Sequence, residues 1–280
     1  MPAPRSDISP VPAGPGVADL VADLGVADLA GFIRAQTRLA ATPLIPELRL
    51  WLSQDEPTVL WERLEQASGR DDLPPPFWAY PWAGGIALAR YLLDHPAQAA
   101  GQTVLDLASG SGLVAIVAAS LGADVTASDI DPVAITAIGL NAAANGVTIK
   151  ITDADLLATA SNASPDLTGR PGPAGKLDPA SHPGADPTGQ PDTVSHANLI
   201  SPTSHISLVL VGDAFYERRM AHRALAFLRR MRAAGARVLI GDPGRAYLPP
   251  DLRELARYPV PAWAGLEDTE IKPTTVWELP

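Results

Sequence analysis

Val104-Leu105-Asp106-Leu107-Ala108-Ser109-Gly110-Ser111-Gly112, running directly into Leu113-Val114-Ala115-Ile116-Val117, decides the fold. A short apolar run of strand character passes through a turn of small residues and opens an apolar helix. Glycines at 110 and 112 allow close backbone approach to a ligand and dihedrals that a side chain disfavours. Working outward, the same alternation repeats. Val125–Ser128 reads as a second strand, Pro132–Asn145 as a helix stopped at Asn145-Gly146, and Val147–Thr152 as a third strand. Ser207–Val211 reads as a buried strand, Arg219–Ala234 as a helix and Val238–Ile240 as a strand, with Ala262–Trp277 supplying a closing antiparallel pair. This order predicts an α/β chain with a mostly parallel sheet, its last strand antiparallel, and helices on both faces.

Ahead of the sheet, residues 1–30 read as a tail with a helix towards its end, where Val-Ala-Asp-Leu recurs at 17, 21 and 26. The domain proper is expected over 31–280, beginning with a helical N-terminal lobe at 31–96. Pro43 and Pro46 punctuate that lobe, Pro74-Pro75-Pro76 interrupt it, and Gly84-Gly85 precede its final helix. Residues 158–205 hold eight prolines with no apolar periodicity. They read as an insertion between two sheet elements, at small entropic cost because loop closure grows only with the logarithm of length.

Composition narrows the function. The formal net charge of -10 disfavours a grip on nucleic acid or on an anionic membrane. An acidic surface suits a basic partner such as a lysine-bearing protein. With no cysteine, disulfides and thiolate metal sites are excluded, and five scattered histidines show no metal-ligand spacing. No apolar run is long enough to cross a membrane, and the Pro/Ala-rich start lacks the pattern of a secretory signal. The expected location is the cytoplasm.

The glycine turn also fits a dinucleotide pattern, Gly110-x-Gly112-x-x-Ala115, so a nicotinamide-dependent oxidoreductase is a competing reading. Asp106 separates the two. At the strand end it would set an anion beside a pyrophosphate, whereas the sulfonium and amino group of S-adenosylmethionine favour a carboxylate there. Helix-start amides can bind that cofactor's carboxylate. Asp129, closing the next strand before Ile130-Asp131-Pro132, places an acceptor where ribose hydroxyls need one. Asp153 or Asp155 at the third strand's end can accept from the adenine amino group, and Asp155 is the choice. Gly212-Asp213-Ala214-Phe215-Tyr216 reaches the same sheet edge, directing Asp213 and Tyr216 at the methyl donor. The Asn-Pro-Pro-Tyr sequence of amide and adenine methyltransferases is absent, and a carboxylate in its place suits a cationic acceptor such as a lysine ammonium.

With these residues in place, the chain resembles the class I, seven-strand protein lysine methyltransferases, whose sheet is Rossmann-like. It is most similar to the family acting on the electron transfer flavoprotein β subunit. The matching points are Pro46-Glu47-Leu48, Pro76-Phe77-Trp78-Ala79, Trp82-x-Gly84-Gly85, Asp106 to Gly112 and Asp129 to Pro132. Further points are Gly212 to Tyr216, Gly241-Asp242-Pro243-Gly244-Arg245 and Thr275-Val276-Trp277. The resemblance implies Asp213 and Tyr216 as catalytic. It implies a cofactor pocket from Trp78, Gly85, Asp106, Ala108, Ser109, Gly110, Gly112, Asp129, Ile130, Asp155 and Gly212. Core packing is the competing reading for Trp78, Trp82 and Trp277. Ala108 departs from the pattern, which has glycine there. The stretch from Asp129 through Asn141 to Gly146 also resembles the methyltransferases of ribosomal protein L11, over the cofactor half alone. The implied partner is therefore a protein, either the flavoprotein β subunit or a ribosomal protein.

Overall fold

The computed structural model describes Val26 and residues 28–158, 205–263 and 270–280. Nearly all of the 1–30 tail and of the 158–205 insertion lies outside the described residues. The N-terminal lobe consists of α1 (Leu29–Gln36), a hairpin of β1 (Arg38–Thr42) and β2 (Ile45–Leu52), and α2 (Pro57–Ser68). A single 3-10 turn at Phe77–Ala79 leads to α3 (Ala83–Asp94).

The helical reading of 31–64 therefore holds for α1 and α2 and fails between them. In β2, Leu48, Leu50 and Leu52 are buried while Glu47 and Arg49 face out, a period of two that fits a strand and not a helix. Pro43 sits in the tight reversal between the arms, where Leu44 adopts φ +61°. Two asparagines near the end of the Pro132–Ala144 helix, Asn141 within it and Asn145 just past it, anchor the hairpin. Trp51 N–H donates to Asn141 Oδ1 at 2.7 Å, and Asn145 accepts from Arg49 N–H at 3.0 Å while donating to Arg49 O at 2.7 Å.

The sheet contains β3 (Thr103–Leu107), β4 (Asp124–Ser128), β5 (Lys150–Thr152), β6 (Leu208–Gly212), β7 (Arg237–Asp242), β8 (Arg253–Pro261) and β9 (Ile271–Glu278). Their order is β5-β4-β3-β6-β7-β9-β8. β3 to β7 are parallel, and β9 runs antiparallel to both of its neighbours. The closing pair starts earlier than the expected Ala262. β8 is an edge strand with most side chains partly or fully in solvent, so it lacks the apolar signal of its neighbours, and the edge tolerates Pro259 and Pro261.

Successive residues of the central strands serve opposite faces. Val104, Leu208, Leu210 and Leu239 pack with α3 and with α4 (Leu113–Ser120). Leu105, Leu107, Val209, Val211 and Ile240 pack with α6 (Arg218–Ala233). Apolar from Leu113 to Ala119, α4 is buried over most of its length, and α5 (Pro132–Ala144) joins the sheet to the N-terminal lobe through Val133, Ala134 and Ala137. Asp131 caps α5 by accepting from Val133 N–H at 2.8 Å, with Pro132 at the first helical position. At the start of α3 the backbone touches the sheet directly. A Cβ on Gly84 would lie 2.2 Å from Gly241 O and 2.5 Å from Asp213 Oδ2. No side chain fits there, so the α3 start is locked over the ends of β6 and β7.

Candidate active site

The glycine turn joins β3 to α4 and is fastened to the end of β4. Ser109 N–H donates to Ser128 O at 3.0 Å, and Gly110 N–H donates to Asp129 Oδ2 at 2.8 Å. Gly110 and Gly112 adopt φ +57° and +81°, as expected of residues chosen for left-handed backbone. Ala108 shares that conformation at φ +53°, so the departure from glycine is accommodated at the cost of an unfavourable region for an alanine.

Asp106 is buried, and its Oδ2 accepts from Ser109 Oγ at 2.5 Å and Ala115 N–H at 3.1 Å. It thereby ties the turn to the first turn of α4. Burial raises its carboxyl to about 7 against the two donors. Asp129 accepts from Gly110 and, through Oδ1, from Asp131 N–H at 3.0 Å, and burial raises it as well. Burial pushes Asp131 up to about 7, with Asp129 adding to the effect. The pocket edge is thus rich in carboxylates held in low dielectric, an arrangement that a cationic ligand stabilises. Ile130 beside it is 63% exposed, an apolar surface next to the ribose acceptor expected at Asp129.

The two acids after β5 differ in occupancy. Asp155 accepts from Leu157 and Ala158 N–H at 3.0 Å each through Oδ1, and pairs with Arg223 at 2.7 Å through Oδ2. Asp153 Oδ2 is buried without a hydrogen-bond partner.

Asp213, at φ +54° just past β6, lies across the sheet edge from that turn. Its Oδ2 accepts from Gly85 N–H at 3.0 Å, and its Oδ1 accepts from Arg245 at 2.9 Å. Burial raises its carboxyl, opposed chiefly by the Arg245 charge. Sequence reasoning placed Asp213 here and left out its cationic partner, although Arg245 stood within a quoted motif. Gly85 and Gly212, expected to line the cofactor pocket, meet backbone to backbone: a Cβ on Gly212 would lie 2.9 Å from Gly85 N.

Tyr216 is half exposed at the mouth of the site. Its ring lies 5.7 Å from that of Phe77, which makes an edge contact at 5.6 Å with Trp82. The Arg245 guanidinium sits 5.8 Å from the Trp82 ring centroid. Phe77 was not chosen from the sequence as a site residue. Trp78, by contrast, is fully buried against the N-terminal lobe and α5, with Nε1 unpartnered, and Trp277 packs beside the α6 face of the core. A cavity of about 210 Å³, lined by Tyr216, Pro243, Gly244, Arg245, Ala246 and Lys272, opens beside this aromatic wall. Among the described residues no cluster of acids and histidines could hold a metal, and no helix is long and apolar enough to cross a membrane.

A sheet of this order, with antiparallel β9 between β7 and β8 and a glycine turn and strand-end acids along one edge, defines a class I S-adenosylmethionine-dependent methyltransferase. The chain is 34% identical over 259 residues to the electron transfer flavoprotein beta subunit lysine methyltransferase of Xenopus laevis, covering 89% of this chain and 85% of that one. The rat protein of the same name is 32% identical over 244 residues, covering 84% and 78%. The family model of ribosomal protein L11 methyltransferase (PrmA) matches residues 87–165. The L11 methyltransferase of Actinobacillus succinogenes is 56% identical over 48 residues, 17% of this chain and 16% of that one. The chain belongs to the electron transfer flavoprotein β subunit lysine methyltransferase family. By that membership it is a lysine methyltransferase, which sets the nicotinamide reading aside.

Proposed function

We propose that this protein methylates lysine ε-amines of the β subunit of electron transfer flavoprotein, drawing the methyl group from S-adenosylmethionine. The observation that carries the proposal is Asp213, a buried carboxylate held between Gly85 N–H and Arg245 beside a cavity that Tyr216 and Arg245 line. The names of the relatives support the substrate.

The residues present fit the cofactor. An orphaned buried oxygen on Asp153, carboxylates raised by burial at Asp106 and Asp129, and the open space over Gly110 all suit a cationic adenosyl ligand. Asp106, Ala108, Ser109, Gly110 and Gly112 would hold its methionine end, with Gly85 and Gly212 on the facing side, Trp78 backing the wall and Asp129 and Ile130 at the ribose. Of the two candidate adenine acceptors, Asp155 is engaged by Arg223, and the free Oδ2 of Asp153 favours Asp153. The cofactor supplies an electrophilic methyl group on a sulfonium.

The remaining work falls to this chain's side chains. A lysine has a reference pKa near 10.4, so its neutral form at pH 7 costs roughly 4–5 kcal/mol. Nearby positive charge lowers that cost, and the proton leaves to water. Asp213 orients the amine, Tyr216 and Phe77 shape its approach, and fixed geometry supplies much of the rate. A cytoplasmic location completes the proposal and is supported by composition alone.

L11-type acceptors are the second reading, favoured by the match over residues 87–165. The test is side-by-side incubation of the purified protein and methyl-labelled S-adenosylmethionine with each acceptor. Label in the flavoprotein subunit supports the proposal, and label confined to the ribosomal protein overturns it.

A further inference from the structure

The Gly241–Arg245 segment carries chemistry that no role assigned so far absorbs. Leaving β7, the chain turns sharply at Pro243 and Gly244, and the buried side chain of Asp242 closes that turn from inside. Its Oδ1 accepts from Gly244 N–H and from Arg245 N–H, both at 2.7 Å. The turn fixes the direction in which the Arg245 side chain leaves the backbone. That side chain crosses to Asp213, placing two of its nitrogens at 2.9 and 3.3 Å from Oδ1, and its guanidinium lies over Trp82. Arg245 also lines the cavity beside Tyr216. One cation therefore touches the strand-end acid, the aromatic wall and the cavity an amine would enter.

We propose that Arg245, aimed by the Asp242-closed turn, is a positioning residue for lysine methylation, holding Asp213 in one rotamer and in its ionised form. Two consequences follow from charge alone. Buried without a cation, Asp213 would be driven towards the neutral acid, a poor acceptor for an ammonium. Where it stayed ionised without Arg245, its uncompensated charge would hold the lysine as ammonium and suppress the nucleophile. With the guanidinium in place, its charge and hydrogen bonds oppose the rise that burial imposes on the carboxyl, while the net local field does not favour the protonated amine. Either loss shows as a rate deficit at neutral pH that shrinks as pH rises.

The proposal rests on the reading of Asp213 as the acid facing the amine, and the variants separate the two. Arg245→Gln is expected to lower kcat/KM about tenfold or more at pH 7 through kcat, with partial recovery at about pH 9. Arg245→Lys, which keeps the charge, is expected to restore most of the wild-type pH profile. Asp242→Ala, which opens the turn and leaves Arg245 in the chain, is expected to resemble Arg245→Gln. Adenosylhomocysteine affinity close to wild type reports an intact fold in each variant. A wild-type kcat and pH profile in Arg245→Gln overturns the positioning role, as does an Arg245→Lys profile no better than that of Arg245→Gln. Wild-type kcat/KM in Asp213→Asn overturns the reading of Asp213 itself, and the inference falls with it.

Discussion

Replacing Asp213 by alanine removes the acceptor of two donors at once, and its cost can be worked from the contacts. Deleting one partner of a fully buried ion pair costs about 3–5 kcal/mol, because the other charge stays desolvated. The Arg245 side chain is 20% exposed and Asp213 10%, so Arg245 recovers part of its hydration and the loss falls to about 2–3 kcal/mol. Leaving Gly85 N–H unpaired under α3 adds roughly 1 kcal/mol. A total of about 3–4 kcal/mol is a large part of an ordinary domain's stability. Asparagine keeps an acceptor for one donor, so Asp213→Asn should lose roughly half as much. Urea unfolding followed by circular dichroism measures both variants. Methyl transfer should fall about 10–100-fold in Asp213→Asn, the worth of one charge-assisted hydrogen bond, with adenosylhomocysteine binding nearly unchanged. An alanine variant that unfolds at the wild-type urea concentration would refute the buried-pair reasoning.

Three further expectations follow from particular contacts. Ala108 holds a left-handed backbone at φ +53°. Relief of that strain in Ala108→Gly, about 1 kcal/mol, is offset by roughly 0.4–1 kcal/mol of added unfolded-state entropy. Stability should stay level or rise slightly, and a fall beyond about 1 kcal/mol in calorimetry contradicts the assignment. Asn141 is fully buried and links the hairpin at Trp51 N–H to the glycine turn at Ser111 O, each at 2.7 Å. Asn141→Ala should cost about 2–3 kcal/mol by orphaning both groups and weaken adenosylhomocysteine binding, whereas unchanged binding by isothermal titration would argue against the link. Asp106 and Asp131 rise from 3.8 to about 7, and Asp242 to about 6. These groups take up protons on folding, so their contribution is fully present below 3.8 and is lost as pH rises through about 6 to 7. The ligand-free protein should therefore be more stable to urea near pH 5 than near pH 8, and the reverse order would show that burial does not dominate these acids.

Buried elements were the legible ones. Leu208–Val211 and Val238–Ile240 are unbroken apolar runs, and Val104–Leu107 is apolar apart from Asp106, because both faces of each strand are covered, and such runs leave a plain mark in sequence. β8 carries no such mark, since an edge strand with most side chains in solvent needs no apolar pattern. The β1–β2 hairpin was misread for a different reason. Pro43 and Pro46 are compatible with breaks between helices, while the alternation Leu48-Arg49-Leu50-Trp51-Leu52 carries the strand period. Within the site, Asp106, Asp129 and Asp213 were readable from their place at strand ends, where topology brings distant segments to one edge. Their partners were not. Arg245 reaches Asp213 across 32 residues of chain, and Gly85 reaches it across 128, so only the folded backbone reveals those pairings. Gly84 and Gly241 stand in the sequence only as members of quoted motifs, and three dimensions show them as the contact that lets α3 meet the sheet.

The central claim is lysine methylation of the flavoprotein β subunit at the Asp213 site. Its most direct measurement is mass spectrometry of that subunit, purified from a host lacking this gene and complemented with either the wild-type protein or Asp213→Asn. The account predicts methyl-lysine restored by the wild type and largely missing with the variant. Methyl-lysine present in the uncomplemented deletion host, or restored equally by both proteins, would contradict it.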